Sequence, residues 1–326
     1  MPEPLKAGVI GVGQMGKHHA RVYSELCGAH LVGVADVNID RANDIAGEYA
    51  TDVQSTERLI EIADAVSVAV PTTGHYDLVR RCIEFGTNVL VEKPFVEYIS
   101  QGEDLLTRAN RADVTIQVGH IERFNPVTET LHDIVPGLNI VSVTAERLGP
   151  NPNRTIQESV ITDLMIHDID VVTSLIESDI VDISACGNAN GRHAMATVEF
   201  ENDIVVSLAA SRVTQKKVRR LRITAESCYV DVDYIDQSVQ IHRQSSPEYI
   251  TDDGDLRYRH ESIIENPVVK NSEPLKNEIR SFLEAIRTGQ QPRVTAEDGL
   301  QSLMLTKKIN EEAFGRPDIQ GEVLME

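Results

Sequence analysis

The run Ala7-Gly8-Val9-Ile10-Gly11-Val12-Gly13-Gln14-Met15-Gly16 decides how this chain is read, because a short apolar strand feeds a glycine-spaced turn that opens into a stretch of helical periodicity. Twenty residues past Gly16, Asp36 closes the next apolar run. Gly11 permits the tight strand-to-helix turn, Gly13 lets the backbone approach a pyrophosphate, and Gly16 lets the helix pack closely on the sheet while its first amides face the phosphates. Asp36 is placed to accept hydrogen bonds from ribose hydroxyls. A helix start that merely needs room would account for the glycines. It does not account for Asp36.

Working outward from that run, short apolar segments alternate with helical patterns up to about residue 120, which implies a parallel, doubly wound sheet of the Rossmann α/β class. Strands are expected over Ala7 to Val12, His30 to Ala35, Ala65 to Val70, Asn88 to Val91 and Thr115 to Val118. Helices are expected over Met15 to Leu26, Arg41 to Tyr49, Thr56 to Ile62, Tyr76 to Phe85 and Gln101 to Arg111, with Gly86 as a C-cap. Asn125-Pro126 supplies an N-cap and a first-turn proline for one more helix. Beyond it comes a long helix, Glu158 to Ile176, and then strand-like runs over Ala194 to Phe200, Ile204 to Ser211, Val218 to Ala225, Tyr229 to Tyr234 and Val239 to His242. Successive strands without helices between them predict an α+β domain with a mainly antiparallel open sheet. The expected division is 1–120 and 121–326, with residues 251 to 272 as an irregular acidic loop and the closing helices, about 276–312, in the second domain.

The 326 residues are 41% apolar, enough for two ordinary cores. No apolar stretch is long enough to cross a bilayer and Met1-Pro-Glu-Pro is not a signal peptide, so a cytoplasmic protein is expected. The four cysteines stand singly, which indicates neither a disulfide framework nor a zinc site, and no metal is expected. A net charge of −20 repels phosphate polymers and argues against nucleic-acid and membrane partners. Such a surface, with 9 lysines against 22 arginines, suits a high-salt, halophilic cytoplasm; a merely acidic mesophilic protein is the alternative.

Four constellations carry candidate chemistry. Val70-Pro71-Thr72-Thr73-Gly74-His75 leaves a strand at its carboxyl end, where ligands bind in open α/β sheets, although Pro71 and Gly74 also shape an ordinary turn. Glu92-Lys93-Pro94 leaves the next strand, and a lysine there can reach a substrate hydroxyl or simply pair with Glu92 on the surface. Asp163, His167 and Asp170 are spaced four and seven apart, which puts all three on one helix face, either turned to a cleft or merely solvated. Arg123 and Asn125 in Gly119-His-Ile-Glu-Arg-Phe-Asn-Pro126, with Arg147 and Arg154, are candidates for holding a substrate phosphate or carboxylate, or for plain salt bridges. The residues expected around a dinucleotide are Gly11, Gly13, Gln14, Met15, Gly16, Asp36, Arg41, Pro71, Thr72, His75, Glu92 and Lys93. Asp36 favours NAD over NADP, and nearby Arg41 softens that preference.

The order of these motifs resembles the Gfo/Idh/MocA oxidoreductase family. The likeness runs almost end to end, through GVIGVGQMGKHHARVY, VGVADVN, AVSVAVPTTGHYDLVRRCIEFGTNVLVEKP, the Asp163/His167 helix and EPLKNEIRSFLEAIRTGQQPRVTAEDGLQSL. The resemblance implies an NAD(P)-dependent sugar dehydrogenase whose catalytic set is Lys93, Asp163 and His167, and whose second sheet pairs face to face in a homodimer or homotetramer. One departure is Gln157-Glu158-Ser159-Val160, where family members commonly carry a glycine-rich lead-in to that helix. GHIERFNP and RLGPNPNRTIQESVITDLMIHDID look like the subgroup containing UDP-N-acetylglucosamine 3-dehydrogenases. Inositols and free sugars stay open as substrates, as does hydrolysis or elimination with transient use of NAD.

Overall fold

A computed structural model describes residues 3–151, 158–244, 248–252, 255–259 and 261–315. The chain divides into two units, one running up to Phe124 and taking in Ser272–Met304, the other comprising Asn125–Asn271 and the chain from Leu305 onward.

The first unit is built on β1 (Leu5–Ile10), α1 (Gly16–Glu25), β2 (Ala29–Ala35), α2 (Ile39–Glu48), α3 (Thr56–Ile62), β3 (Ala65–Val68), α4 (His75–Phe85), β4 (Asn88–Glu92), α5 (Ile99–Ala112) and β5 (Ile116–Gly119). Its five strands are all parallel, in the order β2-β1-β3-β4-β5. Parallel strands covered on both faces bury every side chain, and β3 is buried throughout, as are Ala7, Val9 and Ile10 of β1. Since all carboxyl ends share one edge and the order reverses about β1 and β3, the ligand crevice of such a sheet opens where Gly11 and the Val70 turn emerge. The helix ends follow local chemistry. Asn38 and Ser55 cap α2 and α3 by accepting from the Arg41 and Arg58 amides, and Gly86 closes α4 at φ 74°.

The second unit holds α6 (Pro126–Ile134), β6 (Ile140–Leu148), a wide helical turn at Ile161–Met165 continuing into α7 (Ile166–Leu175), β7 (Ile180–Gly187), β8 (His193–Phe200), β9 (Val205–Ser211), β10 (Val218–Ala225), β11 (Tyr229–Asp233) and β12 (Ser238–Gln244). A hairpin of β13 (Glu248–Asp252) and β14 (Asp255–Arg259) follows, then β15 (Ser262–Glu265). Eight strands form one sheet in the order β15-β12-β11-β10-β6-β9-β8-β7, antiparallel except for β6 against β9. Its inward residues, among them Val143, Ala145, Val206, Leu208 and Ile223, pack with Ile161, Met165, Ile169 and Val172 of the long helix. The outward face presents Met195, Val205 and Tyr229 beside ion pairs joining Arg220 to Asp233 and Arg222 to Glu146.

Three expectations change. Residues 251 to 272 are not wholly irregular: β14 and β15 lie there, held by backbone pairing with no buried side chain on β15 to betray it. β6 and β7 are strands that periodicity left unassigned. The last two helices, α8 (Pro274–Thr288) and α9 (Ala296–Phe314), do not both belong with the second half. Leu275, Ile279, Phe282 and Leu283 of α8 join Ala7, Val9, Tyr23 and Leu90 in the first unit's core, and the division falls within α9 between Met304 and Leu305. An amphipathic helix states which of its faces is apolar, not which sheet will cover it. Among the cysteines, Cys82 and Cys228 are buried, while Cys27 and Cys186 are exposed.

Candidate active site

The glycine turn fits a dinucleotide by what its side chains would have blocked. Gly11 sits at φ 86°, and a Cβ there would stand 2.8 Å from the Ala69 carbonyl oxygen. A Cβ on Gly16 would meet the Gly11 carbonyl oxygen at 1.8 Å, so the helix enters as closely as the backbone allows. A Cβ on Gly13 would meet only the Arg41 guanidinium, at 3.8 Å. That is the open side where a pyrophosphate has room, and no side chain caps the start of α1. Gln14 is exposed and Met15 half-buried beside it.

Asp36 does more than wait for a ribose. Its Oδ2 accepts from the Val12 amide at 2.8 Å, and its Oδ1 accepts from the Asn38 amide at 2.8 Å and from Arg41 Nη2 at 3.2 Å. One carboxylate thus pins the glycine turn to the end of β2 and holds Arg41 close by.

At the same edge, Pro71 is exposed, Thr72 half-buried and His75 buried. His75, expected beside the cofactor, lies between the carbonyls of two loops at the same edge. Its Nδ1 lies 2.9 Å from the Pro94 carbonyl oxygen and its Nε2 3.0 Å from that of Val70. Burial lowers its pKa against the opposing pull of those carbonyls. A neutral ring donates one proton, so it bonds one loop and only abuts the other. His75→Ala is expected to cost about 2–4 kcal/mol, by loss of packing and by stranding a buried carbonyl; urea unfolding checks it.

Glu92 ends β4 and Lys93 follows it, both half-buried, and the Lys93–Pro94 peptide is cis. Glu92 Oε1 accepts from His19 Nε2 at 2.9 Å, and its Oε2 lies 3.3 Å from where a side chain at Gly119 would begin. His120 follows Gly119, and burial, aided by Arg123 and Lys93, pushes its pKa down to about 3. Its imidazole is therefore uncharged beside Lys93.

In the second unit, Asp163 and His167 are half-buried on the long helix, where Ile166 reaches back five residues to the Ile161 carbonyl. Wide turns of this kind mark functional sites more often than chance. Arg212 just beyond β9 holds Asp163 through Nη2 at 2.9 Å, and its Nη1 donates to the Glu158 carbonyl at 2.8 Å. Arg212 also helps line a polar cavity of about 360 Å³ with Ser159, Gly191, Arg192, Asn310 and Phe314. No sequence motif pointed to Arg212. Its role depends on where β9 ends.

The expected substrate residues fare differently. Arg147 is 3% exposed and locked to Asp168 by two bonds, Nε to Oδ2 at 2.9 Å and Nη2 to Oδ1 at 2.8 Å, so its guanidinium serves the core. Asp170 is 1% exposed and does not share the partly open face of Asp163 and His167. Asn125 caps α6, accepting from the Val127 amide at 3.3 Å and donating to the Tyr234 carbonyl at 3.4 Å. Arg123 is buried, donating to the Arg293 carbonyl at 3.5 Å. Arg154 lies outside the described residues. No group of three or more His, Cys, Asp or Glu side chains able to hold a metal occurs among the described residues, nor is any helix there long and apolar enough to cross a membrane.

Comparison with known proteins agrees with this geometry. Residues 5–120 match the oxidoreductase family model for an NAD-binding Rossmann fold, and residues 147–316 match that family's C-terminal alpha/beta domain. The chain is 33% identical to UDP-N-acetylglucosamine 3-dehydrogenase of Acidithiobacillus ferrooxidans over 74% of its own length and 78% of that protein's. A solved structure of that enzyme superposes with a TM-score of 0.85 at 29% identity, covering 96% of this chain and 98% of the other. Inositol 2-dehydrogenase of Rhizobium meliloti is 27% identical over 92% of this chain and 94% of its own. With both halves of the chain matched in order and the glycine turn standing at the sheet's switch point, the protein belongs to the Gfo/Idh/MocA family of NAD-binding oxidoreductases.

Proposed function

We propose that this oxidoreductase removes hydride from a secondary hydroxyl carbon of a nucleotide sugar, UDP-N-acetylglucosamine or a close analogue. Likeness to the Acidithiobacillus enzyme across both domains carries the reading. The polar cavity beside Arg212, with Arg192 on its wall, supports it by offering donors to a hydroxyl-rich, anionic substrate.

Bound NAD supplies the hydride acceptor. His167 takes the hydroxyl proton as general base, while Lys93 and Asp163 orient the hydroxyl and stabilise charge as the carbonyl forms. Arg212 fixes the Asp163 carboxylate for that task. Incubation with NAD and a panel of UDP-sugars, free sugars and inositols, read by NADH formation, tests the reading. Turnover confined to inositols would transfer the assignment to the class of the Rhizobium relative. Substrate loss without NADH would point to hydrolysis or elimination.

Asp36→Ala is expected to weaken NAD binding about tenfold and to relax discrimination against NADP, since Arg41 is then released toward a 2′-phosphate. Titration with both cofactors checks it, and an unchanged preference removes Asp36 from ribose recognition. The open face of the eight-stranded sheet is proposed as the contact of a homodimer or homotetramer. The acidic surface suits a cytoplasm rich in salt, with higher activity in molar KCl than in dilute buffer as the expected sign.

A further inference from the structure

Inside the first unit, behind Lys93, runs a chain of buried polar groups that the proposed reaction leaves unused. Tyr23 and Ser67 are fully buried and His19 is 1% exposed. Tyr23 Oη and Ser67 Oγ lie 3.0 Å apart, Ser67 Oγ and His19 Nδ1 lie 2.9 Å apart, and His19 Nε2 donates to Glu92 Oε1 at 2.9 Å.

Glu278 of α8 lies in the same core at 0% exposure, and neither of its carboxyl oxygens has a hydrogen-bond partner among the described residues. Gln117 of β5, also fully buried, donates to the Glu278 carbonyl at 3.2 Å, while its own Oε1 receives no donor. A carboxylate stripped of water and donors is far costlier than the neutral acid, and two neighbouring carboxyls do not both ionise in such a place.

We propose that Glu278 is a positioning residue: it keeps its proton as a neutral carboxylic acid, leaving Glu92 to carry the network's single negative charge next to Lys93. Its consequence for catalysis rests on Lys93 belonging to the active site; the proton itself does not. Burial, then the Glu92 charge, pushes the Glu278 carboxyl well above the ordinary range. Burial also works to raise Glu92, but the His19 hydrogen bond and charge, with Lys93, outweigh it and hold Glu92 low. The charged and titratable groups on elements packed against α8 are Lys17, His18, His19, Arg21, Tyr23 and Glu25 of α1, Glu92 with Lys93 after β4, and Glu122 and Arg123 of the turn Ile121–Phe124. Of these, Glu92 and Tyr23 interact electrostatically with Glu278.

The folded chain then holds a proton that the unfolded chain releases above the ordinary carboxyl value of 4.5. Stability therefore falls as pH rises from there to the raised value. Glu278→Gln imitates the neutral acid and cannot titrate. Urea midpoints followed from about pH 5 to about pH 9 should decline less in the variant than in the parent. Infrared spectra of the parent at about pH 8 should show a carboxylic-acid carbonyl band that the variant lacks. Because glutamine keeps position 278 neutral, the kcat/KM profile of the variant should follow the parent's up to the pH at which the parent's acid band disappears. A structural role alone would not produce the band. Parallel midpoints and no band overturn the proposal even if the enzyme is active, and if the variant does not fold, presence or absence of the band in the parent decides. A band in a chain inactive on the whole panel supports the proton and overturns the dehydrogenase reading.

Discussion

Turnover of a His167→Ala enzyme is expected to fall by about two orders of magnitude or more, the usual contribution of a positioned general base, with NAD affinity nearly unchanged. His167 stands on the long helix of the second unit, and the dinucleotide turn belongs to the first. Steady-state NADH formation gives the first quantity and fluorescence titration of NAD the second. A loss confined to KM would mean that His167 binds substrate without moving a proton. Wild-type turnover would remove it from the chemistry altogether, and the general base would have to be sought elsewhere.

The largest expected loss of stability lies at Asp168. Asp168 and Arg147 are both 3% exposed and meet in a two-bond pair, with the Tyr234 ring 6.0 Å from the guanidinium carbon. Asp168→Ala removes the carboxylate that takes two bonds from this buried cation, at a cost of about 3–5 kcal/mol. The double change Arg147→Met with Asp168→Leu should recover most of that, since a buried pair replaced by apolar groups of similar volume is often neutral. Urea unfolding of the single and double variants checks both statements. A single variant as stable as the parent would show that Arg147 has somewhere else to go.

That pair also shows how far the sequence could be read. In β6, Val143, Ala145 and Arg147 are buried in turn while Thr144 and Glu146 are not, so the arginine falls in phase with the core. The alternation is present in the sequence, yet the strand Ile140–Leu148 is not among those expected from it. Once the strand is recognised, an inward arginine demands a carboxylate. Which one, Asp168 some twenty residues on, depends on how the long helix lies over the sheet. The same helix offers Asp163, His167 and Asp170 at helical spacing, but the wide turn at Ile161–Met165 and the packing of α7 leave only the first two partly open. A spacing rule assumes an even spiral. His19 carried a weaker signal, lying four residues before Tyr23 on the buried side of α1.

Sequence alone determined the parallel first unit, its glycine turn and the acid at position 36, because these rest on local requirements: room beside a backbone, a period of two or 3.6, a residue able to cap a helix. Tertiary structure alone decided that α8 covers the first sheet, that Arg212 rather than Arg147 attends the Asp163 carboxylate, and that Glu278 is sealed beside Glu92. Each of these joins residues roughly 50 to 280 positions apart in the chain. The energy of such a contact comes from water excluded around both partners at once, and neither partner's own stretch of sequence contains that information.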